Sequence, residues 1–383
     1  MKGMGQFNMS LRIAVIGGGL GGATASVALQ RAGFDVHVYE QASDIQRVGA
    51  GIQLQANTMR VLAALGLDTP IRDAGVPISR WQSRVWDTGK IIFEPEGLSD
   101  WVVVHRADLL NVLLRALKPG TFHSRKRLEG LDQKSDSVSL KFADGTSADA
   151  DIVIGADGIN SRVREILLGP ESPQYSGYIA YLSIFSSSLV RGHHVALDQS
   201  TKWWSDKRHW DPEHTRYFLT YPLSQDSDEI YFVTGAPQAD WNGGTHPVNV
   251  ANDEVRACYA GFHPEVLALI DAAPAITKWP VFVRKPLPVW SDGHAVLLGD
   301  ACHPMSPYMG QGAGMAFEDA AILTRCLQAH PTDPSFAFEM YRKNRIDRTS
   351  LIQKVSSDHT WLAYPQETEW ALGFDAGVCE LRE

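Results

Sequence analysis

Apolar positions run unbroken from Ile13 to Ile16 behind Arg12, as in a strand buried on both faces of a parallel sheet. A Gly-rich run, Gly17 to Gly22, follows. Small and apolar residues from Ala23 to Ala32 then predict a helix, closed by Gly33 at its C-cap. Val36 to Tyr39 predicts a second strand that ends at Glu40, completing one βαβ unit. Helices are predicted over 56–66 and 106–118, the second ended by Pro119-Gly120. From 121 to 154 the pattern turns to alternation. Strands are predicted over 137–142 and 146–154, joined at Asp144-Gly145. Residues 175–235 are rich in Tyr, Trp, Phe and Ser, with strand-like stretches at 216–221 and 229–234. One helix is predicted over 252–272, and a strand over 295–298 runs directly into Gly299-Asp300. Helices over 313–328 and 336–357 close the pattern. The late return of a buried strand implies a discontinuous domain that opens, is interrupted, and closes near residue 300.

Composition narrows the class. In 383 residues, 44% are hydrophobic and 21% charged, a soluble globular mix that excludes disordered and fibrous chains. The net charge of −9 disfavours nucleic acid and anionic membranes as partners. The four cysteines show no CxxC or metal-like spacing, which predicts a reduced, cytoplasmic chain without a metal site. No apolar run reaches the ~18 residues of a membrane span. The stretch 11–29 is dense in Gly at its middle, so it reads as strand, turn and helix rather than a leader.

The first chemical motif is Gly17-x-Gly19-x-x-Gly22. Gly17 permits the tight turn, Gly19 the close approach of a pyrophosphate, and Gly22 the packing of helix on strand. The helix start offers free N–H groups and partial positive charge to phosphates. Glu40 can accept hydrogen bonds from a ribose. Leu20 within the loop and Gln41 beside Glu40 complete this candidate set. The motif predicts a dinucleotide without saying which.

Later motifs decide that through a resemblance. Ile154 to Arg164 (IGADGINSRVR) resembles the DG motif of flavoprotein aromatic hydroxylases, and Leu298 to Pro304 (LGDACHP) resembles their GD motif. Gly310 to Ala316 (GQGAGMA) resembles the flavin-facing loop of the same enzymes, while 47–52 (RVGAGI) and His105-Arg106 also match. The resemblance is to single-component FAD monooxygenases of the para-hydroxybenzoate and salicylate hydroxylase type. It implies an α/β fold: a discontinuous Rossmann-like FAD-binding domain, an inserted mixed β-sheet substrate domain and C-terminal helices. The FAD-binding parts are expected at 11–75, 101–174 and 281–330, the substrate parts at 76–100 and 175–280, and a helical segment at 331–383.

The resemblance implies bound FAD and transient NADH or NADPH, which agrees with the lack of a second GxGxxG. It implies cofactor contacts from Arg47, Arg106, Asp157, Asp300, Gly310, Gly312 and Ala313. Asp157 has an alternative as the organiser of a turn beside Arg162 and Arg164. His303, just after Asp300, is the leading candidate to orient a carboxylate or move a ring-hydroxyl proton near neutral pH, with a packed histidine capping the following helix as the alternative. Tyr217 and Tyr221 alternate onto one strand face, where pocket lining and core packing are equal alternatives.

Within the family, 202–205 (KWWS), 231–235 (YFVTG), 276–280 (ITKWP) and 299–305 are similar to the 6-hydroxynicotinate 3-monooxygenases. That branch uses NADH and O2 to replace a ring carboxylate by hydroxyl, giving a 2,5-dihydroxypyridine and CO2. Its substrate histidine maps to His209 or His214. Gln53 stands where the branch has His, and Gln199-Ser200-Thr201 where it has Cys, so the substrate set Gln53, Tyr221 and Pro304 admits a related ring. The expected reaction is hydroxylation of a hydroxylated aromatic or pyridine carboxylate by a monomer or homodimer. The alternatives are a salicylate-type hydroxylase with a benzenoid substrate, a same-fold flavin reductase or dehydrogenase without oxygen insertion, and an FAD-bound sensor.

Overall fold

The computed structural model describes residues 11–44, 50–95, 100–193, 195–205, 215–226, 228–359 and 361–383. The apolar run behind Arg12 forms the strand Arg12–Ile16, buried from Ile13 onward. It pairs in parallel with Asp35–Tyr39 on one side and Ile152–Gly155 on the other. Ala295–Leu297 and Phe122–His123 extend the parallel sheet on opposite sides, and Ser291–Asp292 closes one edge in antiparallel sense. The helix Leu20–Arg31 begins three residues earlier than predicted, directly on the Gly-rich loop. Arg12 is pinned to Asp151 through its backbone and guanidinium. There the predicted strand 146–154 divides. Ser147–Ala150 belongs to a small antiparallel sheet, and Ile152–Gly155 enters the parallel one.

A second, eight-stranded sheet carries the aromatic-rich middle of the chain. Its long strands are Gln174–Ser186, Glu229–Pro237 and Ile276–Val283. Ser200–Trp204 and Tyr217–Pro222 pair antiparallel beside them, and Trp81–Val85 with Ile91–Phe93 finish that edge. The boundary expected at 280 falls inside the strand Ile276–Val283. The side-chain period of two separates the faces. Trp203, Phe218, Phe232 and Tyr181 point into one aromatic core, which Val255, Leu269 and Ile270 complete. Tyr217, Tyr221 and Tyr231 point to the other face.

The single helix predicted over 252–272 is two, Asn252–Cys258 and Pro264–Ala272. Gly261 takes a φ of +84° between them, and Pro264 cannot continue a helix but starts one well. The His263 ring accepts the Glu265 N–H and caps the second helix. The helix Gly312–Ala329 packs on Leu20–Arg31, and the long helix Pro334–Ser357 packs behind it. Among the described residues no helix is long and apolar enough to cross a membrane.

Candidate active site

A cavity of about 610 Å³ opens beyond the end of the strand Arg12–Ile16 and is lined by Gly17, Gly19, Glu40, Gln41, Arg106 and Asp157, among others. The glycines divide their work as the motif requires. Gly17 has a φ of +102°, and a Cβ there would lie 2.4 Å from the Ala156 carbonyl oxygen. A Cβ on Gly22 would lie 2.0 Å from the Gly17 carbonyl oxygen, so Gly22 serves packing and does not line the cavity. A Cβ on Gly19 would meet nothing nearer than Arg106 at 4.0 Å, which leaves its face open for a ligand. Glu40 accepts the N–H of Gly18 at 2.7 Å and of Ala42 at 2.8 Å, fixing the loop against the second strand.

A second cavity, of about 580 Å³, lies between the parallel sheet and the eight-stranded one. It shares Gly19, Arg106, Ala156, Gly158 and Asn160 with the first, so the two cavities adjoin along these residues. Leu20, Asp300, Gly310, Gly312 and Ala313 line one wall. Gly310 takes the left-handed conformation at φ +66°, turning the chain into the helix Gly312–Ala329, whose first residues Gly312 and Ala313 line the cavity. Gln53, Tyr217, Tyr221 and Pro304 line the rest. The two tyrosines line this cavity and also pack in the adjoining hydrophobic core, so the two alternatives coexist.

The Asp300 carboxyl stands on the wall of the open cavity, and desolvation by the surrounding protein raises its pKa, which the interactions with His303 and Arg106 oppose. Burial raises Asp157 in the same way, against its hydrogen bonds. Asp157 accepts the Ser161 hydroxyl and the backbone N–H groups of Arg162 and Val163, so it organises the start of the helix Arg162–Leu168 while lining the first cavity. Neither arginine side chain pairs with it among the described residues, since the guanidiniums of Arg162 and Arg164 pair with Glu165 and Glu171.

These residues fit a flavin dinucleotide. A cradle open at Gly19 and closed at Gly17 and Gly22 suits a pyrophosphate, and a cation stands at the junction. Gln53 and Tyr308 line the second cavity, and among the described residues the buried Gln53 amide nitrogen and Tyr308 hydroxyl have no hydrogen-bond partner. A family model described as an FAD binding domain matches residues 10–350. The chain belongs to this FAD-binding family. The flavoprotein is 44% identical to the 6-hydroxynicotinate 3-monooxygenase of Bordetella bronchiseptica, over 95% of each chain. It is 42% identical to the enzyme of the same name from Pseudomonas fluorescens, over 96% of each. Among solved structures, Klebsiella pneumoniae HpxO complexed with FAD and uric acid superposes with a TM-score of 0.78 at 26% identity, covering 94% of this chain and 90% of that one. The flavoprotein is therefore an FAD-dependent aromatic monooxygenase, with FAD as its bound cofactor and NAD(P)H as the reductant usual for the class.

Not every expected site residue faces the cavities. His303 is corrected: its ring is 2% exposed and packs on Trp290, away from both. Its Nε2 donates to Asp319 at 2.6 Å, because the buried carboxylate outcompetes an open cavity for that N–H. Arg47, His209 and His214 lie outside the described residues. Lys202 belongs to none of the cofactor or substrate motifs legible in the sequence. It sits in the strand Ser200–Trp204, is buried, and lines the second cavity. Its only sequence signal is a charged position inside an otherwise apolar and aromatic strand.

Proposed function

We propose that this flavoprotein monooxygenase acts on a hydroxylated pyridine carboxylate of the 6-hydroxynicotinate type, replacing the ring carboxylate by hydroxyl with release of CO2. The observation that carries this reading is the identity of 44% and 42%, over nearly the full length of both chains, to relatives bearing that name. Reduced FAD, when bound, supplies the oxygen transfer from O2, which is cofactor chemistry. The protein's part is to hold and orient. Gly17, Gly19, Glu40, Gln41 and Arg106 hold the nucleotide and pyrophosphate, while Leu20, Asp300, Gly310, Gly312 and Ala313 hold the ring end. Asp157 fixes the helix start between them. The helix start at Gly312 favours negative charge on the ring beside it.

The substrate ring then lies among Gln53, Tyr217, Tyr221 and Pro304. The tyrosine hydroxyls stay protonated, because burial raises both far above their ordinary range, so they donate hydrogen bonds and take no proton. The apolar wall keeps water from the reacting carbon. The four cysteines are free, which supports a reducing cytoplasmic setting.

The test is NADH and NADPH oxidation by the FAD-loaded protein, with and without 6-hydroxynicotinate, followed by product mass. Strong stimulation with gain of one oxygen and loss of CO2 is expected. Stimulation by salicylate alone transfers the reading to a benzenoid ring. Substrate reduction with no oxygen incorporated overturns it.

A further inference from the structure

The eight-stranded sheet presents Lys202 and Trp204 on one face, two residues apart, and the cross-strand register sets Leu219 opposite Lys202 and Tyr217 opposite Trp204. The Lys202 ammonium therefore lies over two rings, 3.9 Å from the centre of Trp204 and 4.3 Å from that of Tyr217. Such contacts recover about 2 kcal/mol for a desolvated cation, well short of what burial of a charge takes away. The ammonium has no ion pair or hydrogen bond among the described residues, although the side chain is 2% exposed. Desolvation accordingly lowers its pKa to about 7. Among the described residues, no neighbour on its face can serve as counter-ion. Tyr217, Tyr221 and Tyr231 are held neutral by burial, and burial together with the charge of Lys202 lowers His359 to about 4. The lysine nevertheless opens onto the cavity that takes the substrate.

We propose that Lys202 receives the carboxylate of the substrate, and so selects ring acids over the same rings without the acid. This rests on the reading of the substrate as a ring carboxylate. At neutral pH the carboxylate is the anion such a substrate brings, since a ring hydroxyl is still protonated. A buried cation without a partner gains most from a ligand that completes the pair, and rejects the analogue that cannot.

The experiment uses the FAD-loaded protein and reads ligand binding from the flavin absorbance change. Wild type, Lys202→Met and Lys202→Arg are titrated with 6-hydroxynicotinate and with 2-hydroxypyridine, the same ring without the carboxylate. Lys202→Met is expected to weaken 6-hydroxynicotinate by about 30-fold or more, the scale of a broken buried charge pair, and 2-hydroxypyridine by less than about threefold. Lys202→Arg is expected to recover most of the loss. Each protein serves as its own folding control, because both ligands are read in one preparation. Equal weakening of both ligands, or none for 6-hydroxynicotinate, overturns the role of Lys202 and leaves the carboxylate reading standing. If wild type does not bind 6-hydroxynicotinate, salicylate with phenol and 5-hydroxypicolinate with 3-hydroxypyridine replace the pair. Wild type binding none of the three acids overturns the carboxylate reading, and the inference with it.

Discussion

His303 and Asp319 meet across 2.6 Å in a fully buried contact, and the same Asp319 oxygen accepts the N–H of Gly299 at 3.1 Å. The turn that presents Asp300 to the cavity is thus tied to a carboxylate one helix away. Arg345 holds the other Asp319 oxygen at 2.7 Å and reaches Glu318 at 2.6 Å. Glu318 in turn accepts from Asn57, which also donates to Gln311, the residue before the helix Gly312–Ala329. One buried network therefore braces both segments of the second cavity wall.

His303→Asn is expected to weaken FAD retention several-fold and to leave the pH profile of hydroxylation unchanged in position. A histidine that moved a substrate proton would instead shift that profile. Flavin content after dialysis and pH profiles of substrate-stimulated NADH oxidation separate the two.

Arg345→Met removes one charged partner from each of the buried Glu318 and Asp319, and about 3–5 kcal/mol of stability is expected to be lost in urea unfolding. Desolvation alone raises the Asp319 pKa, but His303 and Arg345 outweigh it and hold it down at about 2. A depressed carboxylate stabilises the fold above its unfolded value of about 4. That contribution is lost as pH falls toward 2. Asp319→Asn is expected to flatten the acid limb between those values, as read by urea midpoints against pH.

Gly19 and Gly22 make a matched pair of tests. A methyl at Gly19 enters open space in the cavity, so Gly19→Ala is expected to fold with an unchanged midpoint and bind FAD more than tenfold more weakly. A methyl at Gly22 collides with the Gly17 carbonyl, so Gly22→Ala is expected to unfold at least about 2 kcal/mol more easily. Thermal midpoints of the apoproteins and flavin titrations read the difference.

Arg106 lowers the pKa of Asp300, which burial raises. Asp300 accepts flavin hydroxyls best when ionised. Arg106→Gln is therefore expected to weaken FAD overall and to move its release on acidification to higher pH. Flavin fluorescence during a downward pH titration of both proteins checks the direction.

Lys202 also carries a stability signature. Its folded pKa is lowered from 10.5 to about 7 by desolvation, so between those values the unfolded chain binds the extra proton and stability rises with pH. The groups facing it do not titrate within that window: His359 loses its charge near 4, and Tyr217, Tyr221 and Tyr231 are raised above it. Lys202→Met is expected to stabilise the ligand-free protein at neutral pH by about 1–2 kcal/mol and to flatten that slope, as read by urea unfolding.

Local chemistry was enough for the nucleotide end. The spacing of Gly17, Gly19 and Gly22 and the acidic end of the second strand are written within 30 residues, because the turn, the phosphate approach and the helix packing are all local demands on the backbone. The apolar runs at 12–16 and 295–298 likewise predicted strands now found in the parallel sheet. The aromatic middle was less legible. Strands buried on both faces, such as Ser200–Trp204, show no alternation, and their cavity face and core face look alike in sequence.

Long-range pairing decided the rest. His303 stands three residues from Asp300 in sequence, and that neighbourhood suggested a shared cavity. The fold instead turns His303 inward because Asp319 and Arg345, from two later helices, converge behind the turn and offer its N–H a buried charged acceptor. Lys202 shows the converse. Its position between two aromatic rings, with no counter-ion among the described residues, exists only once the strand containing Tyr217 lies beside it. The sequence by itself determined the dinucleotide cradle and the family of chemistry, since both depend on backbone motifs with fixed spacing. Which charges are paired and which are left facing the cavity was decided only by tertiary structure, because desolvation and pairing depend on what the rest of the chain brings within a few ångströms.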